Sequence, residues 1–313
     1  MPLDPQARAF LDRLAQAGAV AFGEMPVGEA RRQQEEGAPA LFGPVEEVPF
    51  ADRSLPGPAG PVPVRVYSPV PEPAPALVYF HGGGWVLGSA RTVHGVCATL
   101  ARRAACAVVS VDYRLAPEHR FPAALDDAWA VTTWVAEHPG QVGGREGLLA
   151  VGGDSAGGNL AAVVARRARD AGLALALQLL AYPVLDADFE RQSYRDFAEG
   201  YWLTRAAMQW FWDQYLPDGD RLHPDASPLR APDLAGVAPA YVVTAECDVL
   251  RDEGEDYARR LESAGVPTTL RRHAGMIHGF LRLPAVLDGA RAGLDEASRA
   301  LAGAFAGRAR SGA

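Results

Sequence analysis

Leu148-Leu149-Ala150-Val151-Gly152-Gly153-Asp154-Ser155-Ala156-Gly157-Gly158-Asn159-Leu160 is the stretch that decides the fold. A short apolar run stops at a glycine pair, a serine follows, and an alanine-rich segment of helical character begins at once. Residues 153–157 fit Gly-x-Ser-x-Gly. A serine on a sharp strand-to-helix turn needs small neighbours, because its backbone is strained and the helix crosses close to the strand. The start of that helix supplies N–H groups and a positive dipole where an anion can develop. The alternative is a glycine-rich turn with an incidental serine, which the strand-then-helix context disfavours.

Similar apolar runs lie on either side. Residues 61–67 alternate through Val62, Val64 and Val66, and further runs occupy 76–80, 106–113, 175–181, 241–244 and 268–272. Helical stretches fall between them at 92–104, 122–137, 156–171 and 253–264. Short strands buried on both faces and alternating with helices predict an α/β sandwich around a mostly parallel sheet. Ligands of such sheets gather at the carboxyl ends of the strands. Phe10, Leu11, Leu14 and Ala17 predict an amphipathic helix near the start, whereas residues 24–60 read as loop mixed with short elements. Residues 186–225 interrupt the alternation with Tyr194, Phe197, Tyr201, Trp202, Trp210, Phe211, Trp212 and Tyr215. There Thr204 reads as an N-cap, and the insertion is either extra core or a pocket wall.

Other strand ends carry chemistry. His81-Gly82-Gly83-Gly84-Trp85 follows the run at 76–80, and consecutive glycines let backbone N–H groups face a cavity, as an oxyanion hole requires. A dinucleotide-loop reading fails because Leu87 stands where Gly-x-Gly-x-x-Gly needs its last glycine. A serine nucleophile needs a base, and the base needs an orienting carboxylate. His278 follows the last apolar run and Asp248 follows the one before it, in the chain order this motif class uses. Asp252, Glu253 and Glu246 are rival acids, the first two also explained by capping a helix. His273 is the rival base, and His81 reads as structural. His94, His119, His138 and His223 read as surface or helix-end residues.

Composition narrows the choices. The chain has 313 residues, 49% hydrophobic and 22% charged, with a formal net charge of -8. All 30 basic residues are arginine, so mechanisms built on a lysine are excluded, among them Walker-A phosphate binding and Schiff-base chemistry. The acidic balance argues against nucleic acid as a partner. Cys97, Cys106 and Cys247 are too few and too scattered for a disulfide framework or a zinc cluster, and no metal or organic cofactor is called for. The start of the chain lacks the apolar core of a signal peptide, and the longest apolar stretch, 173–185, contains Gln178 and Pro183. The expectation is a cytoplasmic protein without stable membrane association.

Taken together, the chain resembles the hormone-sensitive-lipase-like family of α/β-hydrolase carboxylesterases, in its Gly-Asp-Ser-Ala-Gly branch. The resemblance rests on residues 81–85, Tyr113-Arg114-Leu115-Ala116-Pro117-Glu118 with Phe121-Pro122-Ala123, and residues 153–159. It continues through Ser227-Pro228-Leu229, Asp248 with residues 250–254, and residues 276–280. It implies an eight-stranded, mostly parallel sheet with helices on both faces and an α-helical cap. The expected division is an N-terminal cap segment at 1–45, a hydrolase core at 46–185, a cap insertion at 186–225 and the rest of the core at 226–313. The family's oxyanion donors fall on the N–H groups of Gly83, Gly84 and Ala156. Trp85, Tyr182, Trp202 and Leu203 are expected to line the substrate pocket, and 113–118 to be architectural. The implied activity is hydrolysis of short- to medium-chain esters by Ser155, His278 and Asp248. Amidase, lactonase, deacetylase, interfacial lipase and non-catalytic receptor are the rivals. A late edge strand near 268–272 is expected to allow a homodimer.

Overall fold

The computed structural model describes residues 2–20, 22–45, 47–70 and 73–311. The chain begins with helices α1 (Pro5–Gln16) and α2 (Val27–Phe42), then strands β1 (Phe50–Leu55), β2 (Val62–Tyr67) and β3 (Ala74–Phe80). Helix α3 (His94–Ala104), strand β4 (Ala107–Val111), helix α4 (Ala123–Glu137), strand β5 (Gly144–Asp154), helix α5 (Ala156–Asp170) and strand β6 (Gln178–Ala181) follow. Next come helices α6 (Gln192–Asp196) and α7 (Arg205–Tyr215) and strand β7 (Ala240–Cys247). Helix α8 (Arg251–Ser263), strand β8 (Thr268–Ile277) and helix α9 (Asp288–Ser311) complete the order.

The strands form one eight-stranded sheet in the order β1-β2-β4-β3-β5-β6-β7-β8. The pairs of β2 with β1 and β4 are antiparallel, and all other pairs are parallel. The pleat explains why continuous apolar runs were needed. Ala76, Val78 and Phe80 join the core beneath α4, α5 and α8, whereas Leu77 and Tyr79 join the core beneath α1, α3 and α9. Each central strand is therefore buried on both faces. The β7 carbonyl ends, and those of β3, β5 and β8, face the same side of the sheet because these strands run parallel.

Residues 24–60 differ from the loop-rich expectation. They hold the 16-residue helix α2 and the edge strand β1. Helix α2 buries only Ala38 and Phe42, and contains Pro39, so it shows little apolar periodicity. It is fastened by Arg31, which donates to the Val86 and Ala116 carbonyls and to both oxygens of Glu118. Strand β1 is exposed at all but Leu55 and is defined by its antiparallel register, from Phe50 opposite Tyr67 to Leu55 opposite Val62. The C-terminal helix α9 was not singled out in the sequence either. Its buried Ala290, Leu294, Ala297, Leu301 and Phe305 recur at helical spacing against α3, a period the sequence does carry. Strand β8 also runs five residues beyond the expected 272, to Ile277, which carries the chain directly to His278. It is the edge strand opposite β1.

Candidate active site

Strand β5 ends at Asp154 and α5 begins at Ala156, leaving Ser155 alone on the turn. Ser155 has φ 56° and ψ -119°, a left-handed backbone that costs on the order of 1–3 kcal/mol for a residue other than glycine. The turn is held by Ser155 N–H donating to the Ala181 carbonyl at 2.9 Å and by the Ser155 carbonyl accepting from Asn159 N–H at 3.1 Å. Its tightness dictates its neighbours. A Cβ on Gly153 would overlap the backbone of Gly157, and one on Gly157 would overlap the carbonyl oxygen of Phe80 at the end of β3.

His278 reaches this turn from the end of β8. Its Nε2 lies 3.0 Å from Ser155 Oγ, and its Nδ1 lies 2.8 Å from Asp248 Oδ2. An ionised carboxylate only accepts, so Nδ1 carries the hydrogen and Nε2 presents its lone pair to the serine hydroxyl. Asp248 Oδ1 is engaged separately, accepting from Leu250 N–H at 3.0 Å. The rival acids go elsewhere. Glu246 Oε2 accepts from Gly275 N–H, Asp252 Oδ2 from Ser193 N–H, and Glu253 Oε1 from Leu185 N–H. Burial pushes the Glu253 carboxyl well above its ordinary range. His273 packs on Phe280 within β8, with its Nε2 3.8 Å from Glu296.

The glycine loop after β3 faces the same turn. Gly83 and Gly84 have φ of 128° and 60°, conformations open to glycine. A Cβ on Gly83 would meet the Leu87 carbonyl, and one on Gly84 would meet the Phe211 ring. Among the described residues, the N–H groups of Gly83, Gly84 and Ala156 donate to no backbone acceptor in a turn or loop. One residue ties loop and turn together without having been assigned a task from the sequence. Asp154 Oδ1 accepts from Gly82 N–H at 3.0 Å and from the Tyr79 hydroxyl at 3.0 Å. The available signal was the carboxylate beside the serine in the motif, to which the sequence reading gave no role. Segment 113–118 braces the loop: the Tyr113 hydroxyl donates to the His81 carbonyl at 2.6 Å, and Arg114 pairs with Asp127.

The cleft over Ser155 encloses about 520 Å³, part of it open to solvent. Trp202 and Leu203 line it, as do Phe22, Met208 and Phe211, which sequence reasoning did not name as pocket residues. Trp202 is held from behind by the edge of Phe10 on α1, 5.3 Å away. Trp85 and Tyr182, also expected at the pocket, are not among the residues that line this cleft. Trp85 has φ 59°, and its side chain is buried in an aromatic cluster, stacked 4.1 Å from Tyr215 and edge-on to Trp212. Tyr182 lies behind the histidine, with its ring 5.0 Å from that of His278. Among the described residues, no group of three or more His, Cys, Asp or Glu side chains is placed to hold a metal ion.

Residues 77–282 match the family model described as alpha/beta hydrolase fold. The chain belongs to the alpha/beta hydrolase fold family. This alpha/beta hydrolase is 45% identical over 271 residues to the carboxylic ester hydrolase LipN of Mycobacterium tuberculosis, covering 84% of this chain and 72% of that protein. It is 40% identical over 309 residues to the ethyl acetate hydrolase of Pseudomonas putida, covering 94% of this chain and 96% of that one. Among solved structures, the hyperthermophilic esterase of the archaeon Pyrobaculum calidifontis matches with a TM-score of 0.91 and 42% identity, over 97% of this chain and 99% of that chain. The family resemblance read from the motifs is thereby borne out.

In this alpha/beta hydrolase His81 is buried, stacked 4.3 Å from Tyr113, with Nδ1 2.9 Å from the Gly82 carbonyl. Burial pushes its imidazole down to about 4 from the ordinary 6.5, only partly opposed by the Gly82 carbonyl. A depressed histidine stays neutral in the folded state while the unfolded chain takes up a proton. Stability is therefore complete above about pH 6.5 and is lost as pH falls toward about 4. The expected loss from this residue between pH 7 and pH 5 is about 2 kcal/mol. In urea titrations, the stability difference between wild type and His81→Gln should shrink by that amount over the same interval. A difference that stays constant with pH would refute the buried, neutral imidazole.

Proposed function

We propose that this alpha/beta hydrolase cleaves carboxylic esters with Ser155 as nucleophile, His278 as general base and acid, and Asp248 as the orienting carboxylate. The hydrogen-bonded series from Ser155 Oγ through His278 to Asp248 Oδ2, at 3.0 and 2.8 Å, carries this reading. His278 Nε2 takes the serine proton as Oγ attacks the acyl carbon. The N–H groups of Gly83, Gly84 and Ala156 receive the oxyanion, each worth roughly 3–4 kcal/mol of barrier. Protonated Nε2 then delivers the proton to the leaving alkoxide. Water, deprotonated by the same nitrogen, releases the acyl group as a carboxylic acid. The identities of the relatives as ester hydrolases support the same reaction class.

The cap in this reading comprises the N-terminal segment with α1 and α2 and the insertion at 186–225, which together contribute Phe22, Trp202, Leu203, Met208 and Phe211 to the cleft. Bulky side chains this close to Ser155 favour short to medium acyl groups. Among the described residues no helix is long and apolar enough to cross a membrane. The buried, free thiols of Cys97, Cys106 and Cys247 suit a reducing cytoplasm. The outer edge of β8 is the surface on which a second copy would pair in a homodimer.

A series of p-nitrophenyl esters with matched anilides tests the proposal. Turnover should be greatest between acetate and hexanoate, fall steeply by dodecanoate, and be at background on the anilides. A maximum on an anilide, or activity that appears only with dispersed long-chain esters, would overturn it.

A further inference from the structure

Arg282 ends the short helical turn Phe280–Arg282 that follows His278, and only 9% of it is exposed. Its side chain lines the cleft with Ser155 and His278. Its Nε is buried without a hydrogen-bond partner, and no ion pair with a described residue neutralises the guanidinium. Other sheltered arginines of this chain are matched: Arg114 to Asp127, Arg191 to Asp186, and Arg251 to Asp252. Asp154 also lines the cleft, but it forms no ion pair with Arg282, and its Oδ1 accepts from Tyr79 and Gly82. A sheltered cation without a counter-charge is costly, and a site retains one where a ligand supplies the missing charge.

A second unpartnered group stands beside it. Gln34 of α2 also lines the cleft, and its Oε1 is buried without a partner. Arg282 and Gln34, with Phe22 and Trp202, are shared between the catalytic cleft and an adjoining recess that is mostly apolar. The polar pair therefore stands where the cleft over Ser155 adjoins this recess. A guanidinium presents a planar fork that fits a carboxylate; the Gln34 Oε1 only accepts, so Gln34 would contribute through its Nε2–H. With a formal net charge of -8 the protein does not attract anions as a whole, so any preference for them must arise locally, in this sheltered cleft.

We propose that Arg282 and Gln34 form a subsite for a carboxylate carried by the substrate away from its scissile bond. The substrate class is an ester bearing a free carboxylate, either a half-ester of a dicarboxylic acid or an acyl ester of a hydroxy acid. This rests on the reading of Ser155 as an ester-cleaving nucleophile.

The test compares kcat/KM for monoethyl glutarate and monoethyl adipate with ethyl pentanoate and ethyl hexanoate, and for 4-acetoxybutanoate with butyl acetate. The first pairs place the carboxylate on the acyl side and the last on the alcohol side. For at least one side, Arg282→Gln should lower the ratio of charged to neutral substrate by about 10- to 100-fold, the worth of a charge-assisted hydrogen bond. Arg282→Lys should keep part of the preference. Equal ratios in wild type and Arg282→Gln on both sides would overturn the subsite. Should that variant not fold, competition decides: glutarate should inhibit wild-type cleavage of ethyl pentanoate competitively, and absence of inhibition overturns the proposal. Failure of the wild type to cleave any of these esters would instead refute the esterase reading on which the subsite depends.

Discussion

Ser155→Ala is expected to reduce kcat on p-nitrophenyl butyrate by about 10⁴- to 10⁶-fold, leaving only what the oxyanion donors and binding contribute. The fold should survive. Alanine inherits the left-handed turn at φ 56° with the same Cβ, and the turn's backbone hydrogen bonds to Ala181 and Asn159 do not involve Oγ. What is removed is the atom 3.0 Å from His278 Nε2. The same change should abolish labelling by a fluorophosphonate, which is expected to add a single adduct to the wild-type chain. Retention of more than a few per cent of activity by purified Ser155→Ala, or an adduct on another residue, would remove Ser155 from the mechanism.

Asp248→Asn should lower kcat by about 10⁴-fold, the magnitude known for the equivalent change in a serine protease, with much less effect on KM. The reason lies in how the carboxylate is shared. Leu250 N–H donates to Oδ1, so an asparagine keeps its oxygen there and turns its NH₂ toward His278 Nδ1. Two donors cannot share that hydrogen bond. The imidazole shifts its proton to Nε2, which then faces Ser155 Oγ with no lone pair to accept the hydroxyl proton. Asp252→Asn is the matched control, because Asp252 accepts from Ser193 N–H and Arg251 and does not touch the histidine. Activity of Asp248→Asn within tenfold of wild type, or an equal loss in Asp252→Asn, would displace Asp248 as the orienting acid.

The sheet and the grouping of the candidate site residues were legible because they depend on local patterns. Apolar runs buried on both faces announce central strands, and Ser155, Asp248 and His278 each stand where such a run stops. Strand β1 was not legible, since an edge strand exposed at Phe50, Ala51, Asp52, Arg53 and Ser54 carries no hydrophobic rhythm and exists through its pairing with β2. Helix α2 escaped for a related reason: it is anchored by Arg31 through polar bonds rather than by an apolar stripe. Pocket walls were harder still. Trp85 and Trp202 are both tryptophans at positive φ, yet one turns into the core and the other lines the cleft. That choice is made by packing against Tyr215 and Phe10, partners far away in sequence. Arg282 gave no signal among 30 arginines, because what distinguishes it is a buried Nε without a hydrogen-bond partner among the described residues.

Gly157 sits against the Phe80 carbonyl, so the first turn of α5, just after Ser155, meets the end of β3, just before the glycine loop, at main-chain atoms. At that contact the spacing between Ser155 and the glycine loop is set by peptide geometry rather than by side-chain size. Specificity can then change by exchanging the residues that roof the cleft, while the reacting centre is inherited intact. One glycine makes the chemistry conservative and the choice of substrate free to diverge.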